Sequence, residues 1–303
     1  MTAGSGVVLL YHRVADTDMD PQAIAVGTTN FGDHLKVLQH SVPVVPLREI
    51  GTHAERHVAI TFDDGYRDNA VTAAPMLRFF DSPATFFVIA GSVGAVAPPW
   101  WARLETFCFS PPTVETSSIE LDVGGSKLWV DSRSRPARER LYWALYWRLR
   151  PLSLSQIDDV LAVLSTQLGP ASEPPADNLF VNSGDLAELA TDDLFEIGSH
   201  TVNHPLLASQ PRGIQERELN DSRRMLEALI DTRVQSLSYP YGGPDAFDET
   251  TVEVARSAGY TYACIVRDGR VGRDTDPLRI PRCAVRDWDR HEFEHRLHRW
   301  LGE

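Results

Sequence analysis

Short apolar runs alternate with longer amphipathic stretches over most of the 303-residue chain. The runs have the β-branched and aromatic content of buried strands, and they lie at 7–11, 42–45, 57–62, 84–90, 194–199, 235–238 and 260–266. Apolar residues at helical spacing occupy the stretches between them, at 31–40, 69–80, 185–190, 214–231 and 250–258. Strands that alternate with helices in this way predict an α/β fold of βα units around a parallel sheet or barrel.

The alternation breaks between residues 92 and 178, where proline pairs interrupt the chain. A hairpin is predicted at 119–130 around Gly124-Gly125, and helices are predicted at 136–150 and 153–168. We therefore predict a single domain over residues 1–303 that carries a long, mostly helical insertion at 92–178. The insertion is expected to be a lid or a partner surface, or else to serve packing alone.

Composition, net charge and cysteine content exclude several classes of protein. Hydrophobic residues make up 43% and charged residues 23% of the chain, as in ordinary globular proteins. A net charge of −13 argues against a nucleic-acid binder, which needs a basic surface. Three distant cysteines form neither a disulfide framework nor a zinc knuckle, and they fit a reducing compartment. Residues 1–10 hold only a short apolar run, so no export signal or membrane span is predicted and a cytoplasmic location is expected.

The first chemical signal is Asp63-Asp64-Gly65, directly after the apolar run 57–62. Two adjacent carboxylates in a partly desolvated cleft resist joint ionisation, and a bound metal ion removes that cost. Asp and Gly are also common in ordinary turns after strands. This stretch alone therefore leaves both interpretations open.

The second signal follows the apolar run 194–199, at His200 and His204. A four-residue spacing would place both imidazoles on one face of a helical turn. Two histidines and a carboxylate are a common metal-binding set with room for water or substrate. Because the carboxyl ends of barrel strands converge on one mouth, we expect the Asp pair and the His pair to meet there.

The third segment, residues 237–243, again follows a predicted strand, and its Pro and Gly predict a rigid turn that can aim a backbone N–H into a cleft. With the three segments in this order, the sequence resembles the polysaccharide deacetylase family, also called the NodB homology or carbohydrate esterase 4 domain. The matching motifs are Thr-Phe-Asp-Asp-Gly-Tyr at 61–66, Ser-His-Thr-x-x-His at 199–204 and Tyr-Pro-Tyr-Gly at 239–242. The resemblance covers residues 7–91 and 180–290.

The resemblance implies a distorted (β/α) barrel of the NodB type with a divalent metal at its mouth, most often zinc, with cobalt, nickel or iron as alternatives. It implies that Asp64, His200 and His204 are the metal ligands. Asp63 is implied to be the general base that activates the attacking water. The backbone N–H of Tyr241 is implied to hold the developing oxyanion.

The chain departs from the family pattern at the arginine that orients the catalytic aspartate. That arginine usually stands three residues before the aromatic residue of the third motif, where this chain has Ser238. Arg282 and Arg286, near a late strand end, are candidates to replace it, or else they are surface charges. The late Leu-x-His motif that supplies the family's general acid is also absent. Three late histidines fit the solvent face of an amphipathic terminal helix instead: His291, His295 and His298.

Other positions are expected to complete the site. His12 ends the first predicted strand and should face the same mouth, so we expect it to be either the general acid or a structural histidine. Tyr66, Tyr241 and Trp288 are expected to bind substrate. Trp288 resembles a family tryptophan whose ring lines the sugar pocket, and core packing is the alternative role.

Together these residues predict a metal-dependent hydrolase that removes an N-acyl group, with acetyl as the first expectation, from an amino-sugar residue of a polysaccharide, an oligosaccharide or a glycoconjugate precursor. A deformylase or small-molecule amide hydrolase on the same scaffold is one alternative. A non-catalytic carbohydrate-binding module is the other, and it is motivated by Ser238 and the absent late histidine. The intact set Asp63, Asp64, His200 and His204 argues against that module.

Overall fold

The structure is a computed structural model that describes residues 5–95, 98–109, 119–123, 126–130, 134–168 and 179–302. The chain divides into two compact units. The first combines Met1–Gly94 with Phe180–Glu303, and the second is Ala95–Leu179. The second unit coincides nearly with the segment 92–178, whose role as a lid or partner surface stays a prediction.

The described elements follow one another as strands and helices. In chain order the strands are β1 (Gly6–Tyr11), β2 (Arg13–Val14), β3 (Ala25–Val26), β4 (His57–Phe62), β5 (Ala84–Val88), β6 (Ile119–Val123), β7 (Ser126–Val130), β8 (Phe195–Ser199), β9 (Ser236–Ser238), β10 (Tyr262–Val266) and β11 (Ile280–Ala284). The helices are α1 (Thr28–Ser41), α2 (Ala74–Phe79), α3 (Trp100–Phe109), α4 (Arg135–Leu149), α5 (Leu154–Leu168), α6 (Ser183–Ala190), α7 (Arg212–Ile230), α8 (Glu249–Ser257) and α9 (Arg290–Leu301).

Seven strands of the first unit close into a barrel in the order β1-β11-β10-β9-β8-β5-β4, with β4 pairing back to β1. Every neighbouring pair is parallel. The register of β1 on β4 runs from Gly6 opposite His57 to Tyr11 opposite Phe62. The predicted α/β barrel is confirmed, and its parallel strands place all their carboxyl ends at one mouth.

Successive strand residues belong to two separate cores. Val7 and Leu9 of β1 pack with helix residues and so face outward. A second cluster fills the barrel interior with the strand residues Val8, Ala59, Phe87, Cys264 and Ile280. Gly198 makes room for this cluster, because a Cβ there would lie 2.4 Å from the Phe87 ring. The interior positions two residues further along β4 and β11 are polar, Thr61 and Arg282, so a buried polar layer lies beneath the mouth.

Two helices of the first unit, α6 and α8, begin with reciprocal side-chain caps of their backbone N–H groups. Asn182 accepts hydrogen bonds from the N–H groups of Gly184 and Asp185, and the Asp185 carboxylate accepts from the Asn182 N–H in return. Asp248 and Thr251 form the same reciprocal arrangement at the start of α8. These capping boxes fix where α6 and α8 start after their loops.

One prediction from the sequence is wrong in detail. The run 42–45 forms only an isolated bridge between Val44 and Val58, because Pro43 and Pro46 lack the backbone donors that a ladder needs. The stretch 69–80 is helical, and Pro75 stands where a proline should start or kink a helix: Asn69–Ala73 forms a π-helical turn, and α2 follows it with Pro75 in its first turn.

The second unit contains α3, α4, α5 and the antiparallel hairpin of β6 and β7. The predicted hairpin is confirmed, and its turn at Gly124-Gly125 lies outside the described residues. The helices predicted at 136–150 and 153–168 are confirmed to within one residue. Their buried apolar residues include Leu141, Leu145, Leu149, Leu161 and Leu164. Across the described helices of the chain, none combines the length and the apolar composition needed to cross a bilayer.

Candidate metal centre and active site

The three sequence motifs lie at the carboxyl ends of barrel strands. Asp63 and Asp64 follow β4, His200 follows β8, and residues 239–242 follow β9. The Asp63 N–H donates to the Tyr11 carbonyl over 3.0 Å, which continues the pairing of β4 with β1 to the rim. The parallel barrel thereby brings together residues that are far apart in the sequence.

Asp64, His200 and His204 each offer one ligand atom within 4.8 Å of the other two. Asp64 Oδ1 lies 3.4 Å from His200 Nε2 and 3.5 Å from His204 Nε2. All three side chains are buried. Donors that are each roughly 2.1 Å from a tetrahedral zinc ion lie roughly 3.4 Å from one another. The cluster therefore fits a divalent metal of that size.

His200 is oriented by a hydrogen bond from its second ring nitrogen. Nδ1 lies 2.8 Å from the carbonyl oxygen of Ser238. A carbonyl can only accept, so Nδ1 carries the proton and the neutral ring keeps a lone pair on Nε2. That lone pair is on the nitrogen nearest Asp64, as in metal sites where a backbone carbonyl fixes the histidine tautomer.

The loop that carries the two histidines is not the helical turn that their spacing suggested. Thr201 has φ +66° and His204 has φ +56°, whereas helical residues lie near −63°. The Thr201 Oγ1 accepts a hydrogen bond from the His204 N–H over 2.9 Å and closes the loop on itself. The imidazole centroids come within 4.7 Å. The histidines do meet, but the helical explanation is wrong.

Left-handed backbone conformations concentrate around this cluster. Seven non-glycine residues in the described part of the chain have positive φ, and four belong to the motifs: Asp64, Thr201, His204 and Tyr241. Each such residue costs of order 1–3 kcal/mol and persists only where its surroundings hold it. Gly242, with φ +62°, also packs closely against the neighbouring strand, since a Cβ there would lie 2.7 Å from the backbone nitrogen of Val266. Strain of this kind is typical of functional sites.

Asp63 is paired with Arg282. Arg282 Nη1 donates to Oδ1 and Nη2 to Oδ2, both over 2.7 Å, and the arginine is fully buried. Ser238 Oγ donates to Asp63 Oδ2 over 3.0 Å and accepts from Arg282 Nη2 over 2.8 Å. Of the two candidate arginines, Arg282 contacts Asp63, whereas Arg286 Nη1 donates to the Ala23 carbonyl over 2.6 Å.

Comparison with known proteins agrees with these motifs. The family model described as polysaccharide deacetylase matches residues 50–111 and 161–263, more than half of the chain. The chain belongs to the polysaccharide deacetylase family. The provisionally named polysaccharide deacetylase YxkH of Bacillus subtilis (strain 168) is 32% identical over 95 residues. This match covers 29% of the chain and 33% of YxkH, so it spans about a third of that relative.

Solved deacetylase structures share the fold. IcaB from Ammonifex degensii superposes with a TM-score of 0.62 at 18% identity, covering 99% of this chain and 98% of that one. The Streptococcus pyogenes deacetylase PplD, in complex with acetate, gives 0.59 at 18% identity over 100% of both chains. BC0361, a polysaccharide deacetylase from Bacillus cereus, gives 0.60 at 17% identity over 96% of this chain and 68% of its own. The predicted NodB-type barrel is confirmed.

Burial and neighbouring charges set the ionisation of the carboxyl and imidazole groups in the deacetylase motifs. Burial would raise the pKa of Asp63, but Arg282, followed by His200, outweighs burial and holds that pKa well below its usual range. The pKa of Asp64 is lowered as well, against burial, by the adjacent imidazoles of His200 and His204. Burial, reinforced by His200, lowers the pKa of His204 to about 3. Ionised carboxylates and a neutral His204 imidazole are the forms that bind a metal cation.

His12 lies at the same mouth, directly after β1. Burial lowers its pKa, and the carboxylates of Asp64 and Asp63 act in the opposite direction. His12 is therefore within electrostatic range of both. Its backbone carbonyl accepts a hydrogen bond from Asn69 Nδ2 over 2.7 Å, which ties the end of β1 to the π-helical turn that follows β4. Its role as general acid stays a prediction.

The three predicted substrate contacts have different surroundings. Tyr66 is buried and stacks on Phe180 at 5.1 Å between centroids. The Tyr241 ring lies 4.6 Å from the His204 ring, so it adjoins the metal ligands. Trp288 packs with α9, with the Arg296 guanidinium 4.1 Å from its ring centroid. Among the described contacts, none links Trp288 to the ligand cluster, and all three substrate roles stay predictions.

The part that Ser238 plays does not follow from its position in the third motif, where it stands in place of an arginine. The Ser238 hydroxyl bonds both Asp63 and Arg282, and its carbonyl orients His200. Thr61 was also missed; its Oγ1 accepts from Arg282 Nη1 over 3.3 Å. The signal available in the sequence was strand alternation. Thr61 lies two residues before Asp63, and Ser238 lies two residues after Ser236, so each shares the inward face of the strand with that neighbour.

Proposed function

We propose that this polysaccharide deacetylase family member is a metal-dependent hydrolase that removes an N-acyl group, acetyl above all, from an amino-sugar residue of a polysaccharide, oligosaccharide or glycoconjugate precursor. The observation that carries the proposal is the Asp64, His200 and His204 cluster beside an arginine-paired Asp63, whose Oδ2 lies 3.9 Å from His200 Nε2. A metal site with a separate carboxylate at its edge suits hydrolysis of an amide.

Asp64, His200 and His204 would hold the metal through one oxygen and two nitrogens. This donor set suits zinc, with cobalt, nickel or iron as alternatives. When bound, the ion supplies Lewis-acid chemistry, which makes water more acidic and the acyl carbonyl more electrophilic. The remaining groups of the mouth would position the substrate and move protons.

Asp63 would be the general base. Its Oδ2 accepts from Arg282 and Ser238, while Oδ1 accepts from Arg282 alone among the described contacts. A carboxylate oxygen has two lone pairs, so Oδ1 keeps one with which to take a proton from the attacking water. Arg282 and Ser238 fix the plane of this carboxylate, and Arg282 outweighs burial and keeps it ionised.

Amide cleavage also needs an oxyanion donor and a proton for the leaving amine. The water oxygen bonds to the carbonyl carbon, the C–N bond breaks, and the amine leaves with a proton. We assign the oxyanion contact to the backbone N–H of Tyr241, whose direction is set by the left-handed φ of +64°. We assign proton donation to His12, which lies in range of Asp63 and Asp64.

Two findings favour this proposal over its alternatives. PplD, which shares the fold, is in complex with acetate, the acid that removal of an acetyl group releases. The non-catalytic module was motivated by Ser238 in place of arginine, and here the Arg282 guanidinium bonds both Asp63 and Ser238. The alternative of a deformylase or small-molecule amide hydrolase keeps the chemistry and differs in the substrate, so a substrate panel separates it. The cytoplasmic location stays a prediction that cell fractionation tests.

The test is acyl release by zinc- or cobalt-loaded protein from N-acetylated and N-formylated glucosamine and its oligomers, measured as free acetate, formate and primary amine. We expect acetate release by the wild type and a loss of about 10²-fold or more in Asp63→Asn, which keeps the shape and removes the base. Formate release in preference to acetate would favour the deformylase. A metal-loaded protein that releases neither acid from any substrate would contradict the enzymatic proposal.

A further inference from the structure

Glu218 is a buried acidic residue of α7 outside the three sequence motifs, with 8% of its surface exposed. Its carboxylate accepts three hydrogen bonds from the loop between the two histidine ligands. Oε2 accepts from the N–H groups of Val202 over 3.0 Å and Asn203 over 2.9 Å, and Oε1 accepts from Asn203 Nδ2 over 2.7 Å. A carboxylate withdrawn from water is stable only when its oxygens are satisfied, so Glu218 and this loop fix each other.

The carbonyl groups of the same loop are fixed from the opposite side. The Ala90 N–H donates to the Thr201 carbonyl and the Gly91 N–H to the Val202 carbonyl, each over 3.0 Å. The approach at Gly91 is close, since a Cβ there would lie 2.6 Å from the Val202 oxygen. Two successive peptide groups therefore have their C=O ends held by residues 90–91 and their N–H ends held by Glu218.

The hydrogen bonds to Glu218 and to residues 90–91 fix the loop where its backbone is strained. Thr201 and His204, on either side of the held peptide groups, both have positive φ. Threonine is β-branched and strongly disfavours a positive φ, so the surroundings must impose that conformation on Thr201. If the N–H groups of Val202 and Asn203 lost their acceptor, the loop would relax and His204 would leave its position beside Asp64.

We propose that Glu218 is a positioning residue that raises the metal affinity of the site by holding residues 201–203 in the conformation that brings His204 to Asp64 and His200. The proposal rests on the proposed metal-dependent function. Among its described contacts Glu218 bonds only Val202 and Asn203. It thus acts through the loop and is distinct from the ligands. Groups that orient metal ligands typically change affinity 10–100-fold when removed.

The test is the dissociation constant for zinc and for cobalt, measured by competition with a chromophoric chelator on the full chain. Glu218→Met keeps the side-chain length and removes both acceptors, and it should weaken binding by about 10–100-fold. Glu218→Gln keeps one acceptor oxygen and should fall between Met and the wild type, as should Asn203→Ala, which removes only the Oε1 contact. The matched control is Glu216→Met on the same helix, where the side chain is 49% exposed and pairs with Arg212; its affinity should be unchanged.

The outcomes separate this inference from the proposed function. A wild type that binds neither ion overturns the metal site and, with it, the role of Glu218. A wild type that binds metal together with folded Glu218 variants of equal affinity overturns the positioning role alone. If Glu218→Met does not fold, Glu218→Gln and Asn203→Ala decide, and unchanged affinity in both contradicts the proposal. In the cobalt-loaded protein, a change in the visible absorption of Glu218→Gln at saturation supports a displaced ligand.

Discussion

Replacing Arg282 with methionine should destabilise the protein strongly. The guanidinium makes two 2.7 Å bonds with Asp63, and the two side chains are 0% and 4% exposed. Its removal leaves the Asp63 carboxylate buried with the Ser238 hydroxyl as its remaining described hydrogen-bond donor and His200 Nε2 at 3.9 Å. Taking away one member of a buried ion pair costs about 3–5 kcal/mol, so we expect the free energy of unfolding of Arg282→Met to fall by about that amount.

The loss of stability in Arg282→Met should depend on the charge of Asp63. Asp63→Asn combined with Arg282→Met removes the uncompensated charge together with its partner, so the double variant should be more stable than Arg282→Met by about 2 kcal/mol or more. Burial is the largest influence that raises the pKa of Asp63, so we expect the folded-state pKa of this carboxyl in Arg282→Met to rise above its unfolded value. A raised carboxyl pKa means that folding takes up a proton, so stability increases as the pH falls through it. The penalty should be smaller at pH 5 than at pH 8.

The assay is urea unfolding of metal-free protein followed by circular dichroism at both pH values. Arg286→Met is the matched control, because Arg286 gives its bond to a backbone carbonyl and its loss should cost about 1 kcal/mol or less. If Arg282→Met costs no more than Arg286→Met, or if Asp63→Asn rescues nothing, the ion pair is not what holds Asp63.

Other predictions concern single features of the fold. His34 is buried against Phe293, donates from Nε2 to the Trp288 carbonyl over 2.8 Å and has a pKa lowered by burial to about 4. The unfolded chain binds a proton at His34 at a higher pH than the folded chain does, so the free energy of unfolding should fall by about 3 kcal/mol as the pH drops from about 6.5 to about 4. His34→Gln should remove most of this fall from a curve of stability against pH. An unchanged curve would refute the assignment of the fall to His34. Gly242→Ala places a Cβ 2.7 Å from the Val266 backbone nitrogen at φ +62°, whereas Gly94→Ala at φ +66° meets nothing within 4 Å. Thermal unfolding should therefore show Gly242→Ala as the more destabilised by about 1–3 kcal/mol, and equal losses would mean that backbone strain alone matters.

The ligand positions could be predicted from the sequence because they depend on simple rules. Asp64 and His200 come directly after apolar strands, and parallel strands in a barrel end at one mouth. Their meeting therefore needs only the strand assignments. The connection between His200 and His204 could not be predicted, since two left-handed residues replace the helical turn that the spacing suggests. Such conformations are imposed by contacts such as those of Glu218, which periodicity does not reveal.

The pairing of Arg282 with Asp63 shows another limit. The two residues are 219 positions apart, and their contact depends on β11 closing the barrel against β1 with a definite register, Leu9 opposite Cys283. Proximity to a strand end left Arg282 and Arg286 equally eligible. Arg282 shares with Ile280 the face of β11 that points into the barrel, and which face points inward becomes visible only once the strand is placed in the barrel.

The central claim is that Asp64, His200 and His204 bind a divalent metal. Elemental analysis of purified wild type and of His200→Ala tests it most directly, with His53→Ala, a half-exposed histidine outside the site, as the control. We expect close to one zinc or similar ion per chain in the wild type and in His53→Ala, and loss of that ion in His200→Ala. A wild type that holds no metal even after zinc or cobalt is added would contradict the account.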